Sequence, residues 1–281
     1  MKDSTIAVLI TCFNRKKHTV KCIERLFSVF NSIDVYLVDD GSVDGTSQEI
    51  QNKFPQVKLI KGSGDLYWNR GMHLAWEHAR KKDYEFYLWI NDDVTIYDNC
   101  FLELMECSKK SNYNSIITGV IESPDKKKII YGGKDKQRNR LYKEGDMKEV
   151  HYMNGNVVLV SRKIFKLLGN LDSRFHHDYG DVDYGFRALK NNIKIYTTTQ
   201  IVGSCLENNN WRVRKLGTSI INRFRLLYSP IGANPNNTFY FKNKHFGFLN
   251  ALIYYVYLHF INTLSDTVFI LLFKNRYQDN S

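Results

Sequence analysis

The chain has 281 residues, 43% of them hydrophobic and 25% charged, which is the balance of an ordinary globular protein with a sizeable core. The formal net charge of +11 favours acidic partners, namely nucleotide phosphates, nucleic acid or an anionic membrane surface, without choosing among them. The five cysteines are an odd number without CxxC spacing and indicate neither a disulfide framework nor a zinc site. No signal-peptide pattern opens the sequence, so we expect a cytoplasmic protein with reduced thiols.

The first third of the chain alternates short apolar runs with segments of helical periodicity. These patterns predict strands over residues 6–11, 34–40, 57–60 and 86–90, and helices over residues 16–30, 46–54 and 68–80. Strands separated by helices need crossover connections, so the sequence predicts an α/β fold with a mostly parallel central sheet flanked by helices.

Polar side chains follow each of these four strands. The carboxyl ends of parallel strands meet at one edge of a sheet, and ligands of open α/β proteins bind at that edge. The candidate residues are Thr11, Asn14 and Arg15, then Asp39 and Asp40, then Asp65 and Arg70, and finally Asn91, Asp92 and Asp93.

Asp92 and Asp93 are adjacent acids directly after an apolar strand. They would repel each other unless a cation or hydrogen-bond donors compensate, and clustered oxygen ligands suit Mg²⁺ or Mn²⁺. The simpler interpretation is a strand-to-helix loop with an aspartate as helix cap. Because the sequence has neither GxGxxG after the first strand nor GxxxxGK[ST] anywhere, a Rossmann dehydrogenase and a P-loop enzyme are disfavoured.

The next hundred residues are predicted to continue the sheet, with a loop excursion or hairpin at 125–147. We expect strands over 116–121, 128–131, 150–155 and 157–160, and a helix over 162–168. A second acidic cluster then leads into a helical pattern, with Asp181 and Asp183 near the helix N-terminus, where negative charge is stabilised. Either acid could simply be the helix cap.

The last third is basic and aromatic. For residues 208–225 two interpretations stay open: a loop that closes over a ligand with an arginine on its phosphates, leading into a basic helix near anionic lipid, or a solvated basic face. Residues 246–273 contain no lysine or arginine but are interrupted by polar residues, which is unfavourable for a spanning helix. We expect one or two amphipathic helices that form a dimer interface or lie on a membrane surface, flanked by Lys242, Lys244, Lys274 and Arg276.

Six motifs, taken in order, resemble the inverting, nucleotide-sugar-dependent glycosyltransferases of family 2, which have the GT-A fold. They are TCFNR at 11–15, VDDGS at 38–42, GDLYWNRG at 64–71, NDD at 91–93, NG at 154–155 and a segment that begins with LD at 171–172 and ends with GDVD at 180–183. No single motif is very specific, but the ordered set is. Within the family, GDLYW at 64–68 and YGDVDYGFRA at 179–188 look most similar to rhamnosyltransferase-like enzymes of bacterial surface-polysaccharide synthesis.

The resemblance implies a GT-A domain over residues 1–205 and a C-terminal helical extension over 206–281. It implies that Asp39 or Asp40 contacts the nucleoside, and that Thr11, Phe13 and Arg15 line the base pocket. Asp65 and Arg70 would lie beside the nucleotide and its diphosphate. Residues Asn91, Asp92 and Asp93 take the place of the metal-binding motif, with Asp93 as the direct ligand of Mg²⁺ or Mn²⁺.

Asp181 matches the catalytic base of the family, although Gly180 stands where relatives have glutamate and Asp183 remains an alternative. A second protein ligand for the metal stays open, with Cys205 and Glu207 nearest in sequence. The implied partners are a dTDP- or UDP-sugar donor and a glycan or lipid-linked acceptor, and the implied location is the cytoplasm or the inner face of a bacterial membrane.

Two other classes compete with this interpretation. A nucleic-acid-binding protein would account for the positive charge, but the sequence has no recognisable RNA-binding motif and the acids at the strand ends would be unexplained. A sugar nucleotidyltransferase would normally have a basic, glycine-rich loop after the first strand, and residues 11–15 do not form one.

Overall fold

The computed structural model of the protein describes residues 5–30, 32–207 and 212–277, the last four by their backbone alone. Within these ranges the strands are β1 Ile6–Cys12, β2 Ile33–Asp39, β3 Lys58–Lys61, β4 Phe86–Ile90, β5 Thr95–Ile96, β6 Ser115–Glu122, β7 Ile129–Tyr131, β8 Gly133–Lys134, β9 Tyr152–Met153, β10 Val157–Ser161 and β11 Lys194–Ser204. The helices are α1 Lys16–Val29, α2 Thr46–Lys53, α3 Tyr67–Ala79, α4 Cys100–Lys110, α5 Arg162–Leu168, α6 Gly180–Lys190, α7 Ile220–Leu227, α8 Pro235–Phe246, α9 Phe248–Thr263 and α10 Asp266–Tyr277.

The central sheet runs in the order β3-β2-β1-β4-β10-β6-β11-β5, and β7 pairs with β6 at its side. The first four strands are parallel to one another, and Leu9 of β1 lies in register between Tyr36 of β2 and Trp89 of β4. This confirms the α/β prediction and the parallel sheet expected for the first third. The sheet then changes direction, because β10 is antiparallel to both β4 and β6, while β11 is again parallel to β6.

The prediction that residues 150–155 resume the central sheet is wrong. Strand β9 pairs instead with β8 in a separate two-stranded antiparallel sheet. The physical reason is that both sides of β10 are already occupied by β4 and β6, so the preceding segment has no edge of its own there. Just before β9 the chain does contact the central sheet: Glu149 forms an isolated bridge to Tyr196 of β11, and the Val150 N–H donates to the Ile195 carbonyl.

Apolar residues cover both faces of the central sheet, which is why its strands read as nearly continuous apolar runs. On one face α3 and α6 pack through Trp76, Trp89 and Tyr184, whose ring centroids lie 5.2 to 5.5 Å apart. Aromatic pairs of this kind contribute about 0.5 to 1.5 kcal/mol beyond the area they bury. This cluster fixes α3 and α6 on the sheet, and both helices carry predicted site residues.

The chain divides into two compact units, the first comprising Met1–Ser173 and Tyr179–Glu207, the second Arg174–Asp178 and Asn208–Ser281. The second unit contains α7 to α10, and its core is Leu227, Leu258, Ile261 and Phe269. The amphipathic segment expected over 246–273 is therefore two helices, α9 and α10. Among the helices of the described residues, none has both the length and the apolar content needed to cross a membrane.

Two arginines of the basic stretch 208–225 are buried inside the second unit. Arg214 is 1% exposed and donates to the Ile261 and Leu264 carbonyls and, at 2.6 Å, to Asp266. Arg223 donates to the same carboxylate at 2.8 Å. For these two residues both sequence-based interpretations, a ligand-closing loop and a solvated basic face, are wrong, because each guanidinium caps the turn between α9 and α10. Residues 208–211, including Trp211, lie outside the described range.

We expect Asp266→Ala to lower the free energy of unfolding by about 3 kcal/mol, because two buried guanidinium groups would lose their counter-ion. The matched control is Asp98→Ala, which removes a surface partner of Arg25 and should cost less than about 1 kcal/mol. Urea unfolding followed by far-ultraviolet circular dichroism measures both. Equal losses in the two variants would contradict a stabilising role for the buried pair.

Candidate active site

The loops that follow β1 and β2 are bonded to each other. Asn14 adopts a left-handed backbone conformation with φ of 50°. Its backbone N–H donates to the Ser42 hydroxyl and its side-chain oxygen accepts from the Val43 N–H, both at 2.8 Å. Phe13, beside it, is 52% exposed. The loop pair therefore holds an aromatic ring in solvent at the carboxyl edge of the sheet.

Asp39 and Asp40 are both buried, and both accept hydrogen bonds from the protein itself. Asp39 accepts from the Ser42 N–H at 2.9 Å and from the Ser47 hydroxyl. Asp40 accepts from three backbone N–H groups between β3 and α3, those of Gly64, Leu66 and Tyr67, at 2.8 to 2.9 Å. Asp40 thus holds the turn that leads into α3. This turn carries Asp65, and Arg70 follows on the first turn of the helix.

Arg15 bridges the acid pair at the end of β4. One guanidinium nitrogen lies 3.0 Å from Asp92 Oδ1 and the other 2.9 Å from Asp93 Oδ2. The place of Arg15 in the base pocket stays a prediction. The hydroxyl of Thr19 donates to the second oxygen of Asp92 at 3.1 Å. Burial, together with the neighbouring charge of Asp93, raises the pKa of Asp92 to about 6, although Arg15 opposes this shift.

Asp93 has the feature expected of a cation ligand. Its Oδ1 is shielded from solvent and has no hydrogen-bond partner among the described residues. The described part of the chain contains no group of three or more His, Cys, Asp or Glu residues able to hold a metal ion alone. An orphaned carboxylate oxygen beside a second acid fits Mg²⁺ or Mn²⁺, which take one or two carboxylates and draw their other ligands from water and substrate phosphates.

Glu207 and Cys205, the two residues considered for the second metal ligand, have different surroundings. Glu207 accepts from Lys128 at 2.6 Å and from Arg140, and these hydrogen bonds lower its pKa. Cys205 is buried, and burial together with the charge of Asp93 raises the pKa of its thiol to about 12. At neutral pH Glu207 is therefore engaged in an ion-pair cluster, and Cys205 is a neutral thiol.

A short series of contacts links the acid pair to the second acidic cluster. The indole N–H of Trp68 donates to Asn91 Oδ1 at 2.7 Å. The edge of the same ring lies 2.6 Å from where a Cβ at Gly155 would stand, so only glycine fits there. The N–H of Gly155 donates to Asp181 Oδ2 at 2.9 Å. Asn91, Trp68, Gly155 and Asp181 thus lie side by side at one edge of the first unit.

The structure separates the two acids of α6, between which the sequence did not decide. Asp183 is fully buried and pairs with Arg187 at 2.9 Å, which in turn donates to the Leu168 and Asn170 carbonyls. Asp181 is only partly buried, and its oxygens accept from the N–H groups of Val182 and Gly155. Burial raises the pKa of Asp181, and these two hydrogen bonds only partly oppose the shift. Asp183 is therefore held in a buried ion pair with Arg187. Asp181 is partly exposed and has a raised pKa, which are the properties that a general base would need.

Gly180, which stands where the family has glutamate, has no room for a side chain. A Cβ on Gly180 would lie 1.8 Å from Asn69 Oδ1. Asn69 is itself buried and fixed by its side-chain donation to the Asp172 carbonyl at 2.8 Å. Gly180 therefore differs from the glutamate of the family pattern at a position where Asn69 of α3 occupies the space that a side chain would need.

The remaining candidates lie on or near α3. Asp65 is exposed in the turn before the helix, and Arg70 donates to the Ser173 carbonyl at 2.9 Å. Thr11 packs against Gly71 of α3. Sequence reasoning missed Thr19, although this residue follows Arg15 by four positions, in the first turn of α1, and its N–H donates to the Arg15 carbonyl. It also assigned no role to Trp68, although a partly buried indole N–H needs an acceptor.

Comparison with known proteins establishes the family. The sequence model described as Glycosyl transferase family 2 matches residues 7–169, which is more than half of the chain. The chain belongs to glycosyl transferase family 2. The matched range contains every candidate residue from Thr11 to Asp93, whereas Asp181 lies beyond it, so the role of Asp181 stays a prediction.

Among curated proteins, this family 2 chain is similar to the low-salt glycan biosynthesis hexosyltransferase Agl10 of Haloferax volcanii. The two are 22% identical over 184 residues, which cover 62% of this chain and 59% of the relative. The chain therefore spans about three fifths of the length of the relative it matches.

Solved structures with low sequence identity share the fold. S. aureus TarS 1-349 has a TM-score of 0.56 and 12% identity, covering 88% of this chain and 71% of TarS 1-349. The mannosyltransferase PcManGT from Pyrobaculum calidifontis, in complex with GDP-Man and Mn²⁺, has a TM-score of 0.53 and 12% identity, covering 91% of this chain and 65% of PcManGT. These neighbours confirm the predicted GT-A fold.

We expect Gly180→Ala to destabilise the protein by about 1 to 3 kcal/mol, because the new methyl group would overlap the Asn69 side chain. In an Asn69→Ala background the same substitution should cost little, since the overlapping atoms are gone. Thermal unfolding of the two single variants and the double variant gives the coupling between the sites. An equal loss in both backgrounds would contradict the packing account of Gly180.

Proposed function

We propose that this protein is an inverting glycosyltransferase that moves a sugar from a nucleoside diphosphate sugar to a hydroxyl group of a glycan or lipid-linked acceptor. The observation that carries the proposal is the series of contacts from Asn91 through Trp68 and Gly155 to Asp181. A carboxylate with raised pKa and an acid pair suited to a cation thereby occur at one edge of one unit. Sugar transfer from a diphosphate needs both groups together.

The donor is proposed from the relatives. Agl10 is named a hexosyltransferase, TarS 1-349 has a complex with UDP-GlcNAc, and PcManGT has one with GDP-Man. We therefore propose a hexosyl or deoxyhexosyl donor carried by a nucleoside diphosphate. The likeness of residues 64–68 and 179–188 to rhamnosyltransferase-like enzymes supports dTDP-linked rhamnose as one specific donor. The UDP-GlcNAc complex of TarS supports a UDP-sugar as the other.

A divalent cation is proposed at the acid pair. Asp93 would hold Mg²⁺ or Mn²⁺ directly through its orphaned oxygen, with Asp92 beside it and the donor diphosphate completing the ligand set. When bound, such an ion supplies positive charge against the leaving diphosphate. Arg15 already neutralises part of the charge of both acids, so it orients the pair before the donor arrives.

Asp181 is proposed as the base. The acceptor hydroxyl oxygen forms a bond to the anomeric carbon as the bond from that carbon to the diphosphate oxygen breaks, and Asp181 accepts the hydroxyl proton. Attack from the face opposite the leaving group inverts the anomeric configuration. A pKa raised by burial makes this carboxylate a stronger base than an exposed aspartate.

The remaining residues are proposed to shape the donor pocket. The exposed ring of Phe13, beside Thr11 at the end of β1, is available to stack on the nucleotide base. Asp39 and Asp40 hold the loops around the nucleoside, and Asp65 and Arg70 flank the diphosphate.

We expect Asp181→Asn to reduce transfer by about a thousandfold while nucleotide affinity is unchanged, because the amide keeps the shape of the carboxylate but cannot accept the proton. Transfer is measured with radiolabelled donor sugars and a lipid-linked acceptor, and nucleotide affinity by calorimetry. The matched control, Asp98→Asn, changes an exposed aspartate and should transfer at the wild-type rate. Retained transfer, or lost nucleotide binding, in Asp181→Asn would contradict the assignment.

The pH profile separates this role from a structural one. Because the base must be ionised to accept a proton, and burial raises its pKa, wild-type kcat should fall on acidification at a higher pH than an ordinary aspartate would allow. The residual rate of Asp181→Asn should lack this step. If kcat of Asp181→Asn still falls at the same acidic pH as kcat of the wild type, a group other than Asp181 controls this pH dependence.

A further inference from the structure

Helix α9 has two apolar sides, and only one of them faces the core of the second unit. Leu258 and Ile261 are buried on the core side. Leu249, Ile253, Val256 and Phe260 are each more than half exposed. Their spacing of four, three and four residues places them on one continuous helix face. Such a face on a folded unit indicates a surface that contacts another apolar phase.

Helix α10 repeats the arrangement. Phe269 is buried against the core, whereas Val268, Leu271 and Leu272 are exposed. The turn between the two helices is fixed, because Asp266 accepts hydrogen bonds from Arg214, Arg223 and the Gly217 N–H. A turn held by these hydrogen bonds therefore joins two helices that each have an exposed apolar face.

The charge of this unit is complementary to anionic lipid. Residues 212–277 contain nine basic residues and one acidic residue, Asp266. That single acid is already paired with Arg214 and Arg223, so it neutralises none of the surface lysines and arginines. An isologous dimer through the same faces would bring two strongly positive units together, which is unfavourable. An anionic bilayer meets both the apolar and the electrostatic requirement.

Lys242 places positive charge at the border of the apolar face. Its ammonium group lies 3.8 Å from the ring centroid of Tyr254 on α9 and 5.0 Å from that of Phe246. Both rings are partly in solvent. Aromatic rings with adjacent lysines are typical of side chains that sit at the level of lipid headgroups.

We infer that the exposed faces of α9 and α10, namely Leu249, Ile253, Val256, Phe260, Val268, Leu271 and Leu272, dock on an anionic lipid bilayer with the helices lying in its interface. This inference is independent of the proposed transfer reaction. The inference requires no membrane-spanning helix, and none of the helices in the described residues is long and apolar enough to span a membrane.

The test is flotation of the full chain with vesicles of phosphatidylcholine alone and of phosphatidylcholine mixed with phosphatidylglycerol. The wild-type protein should float with the mixed vesicles and much less with the neutral ones, and added salt should reduce binding. Ile253→Asp with Val256→Asp should weaken binding at least about tenfold, because the two charges would enter the hydrocarbon boundary. The matched control is Leu102→Asp with Leu167→Asp, two exposed leucines on α4 and α5 of the first unit, which should bind as the wild type does.

Three results would overturn the inference. They are failure of the wild type to bind mixed vesicles, equal binding of the Ile253→Asp, Val256→Asp variant, and equal binding to neutral and anionic vesicles. Light scattering tests the alternative, in which the apolar face is a contact between two copies of the chain. In that case the wild type would be a dimer that does not bind vesicles, and the Ile253→Asp, Val256→Asp variant would be a monomer. Lys242→Glu with Lys244→Glu changes no residue of the apolar face. This variant should weaken binding to the mixed, anionic vesicles and leave binding to the neutral vesicles unchanged.

Discussion

Two adjacent carboxylates at the end of a buried strand are the constraint on which the first unit depends. Asp92 is 4% exposed, and its neighbour Asp93 carries the same charge, so the pair is stable only if other groups compensate. Arg15, the residue before α1, and Thr19 on α1 do this. The start of the first helix is therefore bonded to the segment that follows the fourth strand, at the carboxyl edge of the sheet. A cation and a diphosphate would add to an arrangement that is already charged and ordered.

The second acidic cluster depends on close packing more than on charge. Asp181 reaches the same edge because Gly155, which has no side chain, lets the Trp68 ring and the Asp181 side chain both lie close to it. Gly180 lets α6 begin directly against Asn69 of α3. The aromatic cluster of Trp76, Trp89 and Tyr184 then fixes both helices on the sheet. The proposed base is thus held by helices anchored in the core.

Much of the first unit was predictable because it follows simple periodic patterns. Apolar runs and helical spacing predicted the first four strands and three helices, since parallel α/β units bury both faces of their strands. The edge residues followed from the topology alone. The pairing of β9 with β8 could not be predicted in this way. The alternation of apolar and polar residues shows which face of a strand is buried, but it does not show which strand lies beside it.

Individual side-chain partners were beyond the sequence for the same reason. The sequence did not predict that Arg15, the residue before α1, pairs with the acid pair. Arg214 and Arg223 read as a solvated or ligand-binding stretch, and only the fold shows that both are buried and share one carboxylate. The choice between Asp181 and Asp183 also needed the structure, since both acids lie in the first turn of one helix and differ only in burial and in the presence of Arg187.

The central claim is that the edge around Asp93 binds a nucleoside diphosphate together with a divalent cation. Isothermal titration of UDP, dTDP and GDP into the purified protein, each with Mn²⁺ and with a chelator, tests it most directly. The account predicts that one nucleotide binds with Mn²⁺, that chelation weakens this binding at least about tenfold, and that Asp93→Ala loses the metal-dependent part. Absence of binding by all three nucleotides, or equal affinity with Mn²⁺ and with chelator, would contradict it.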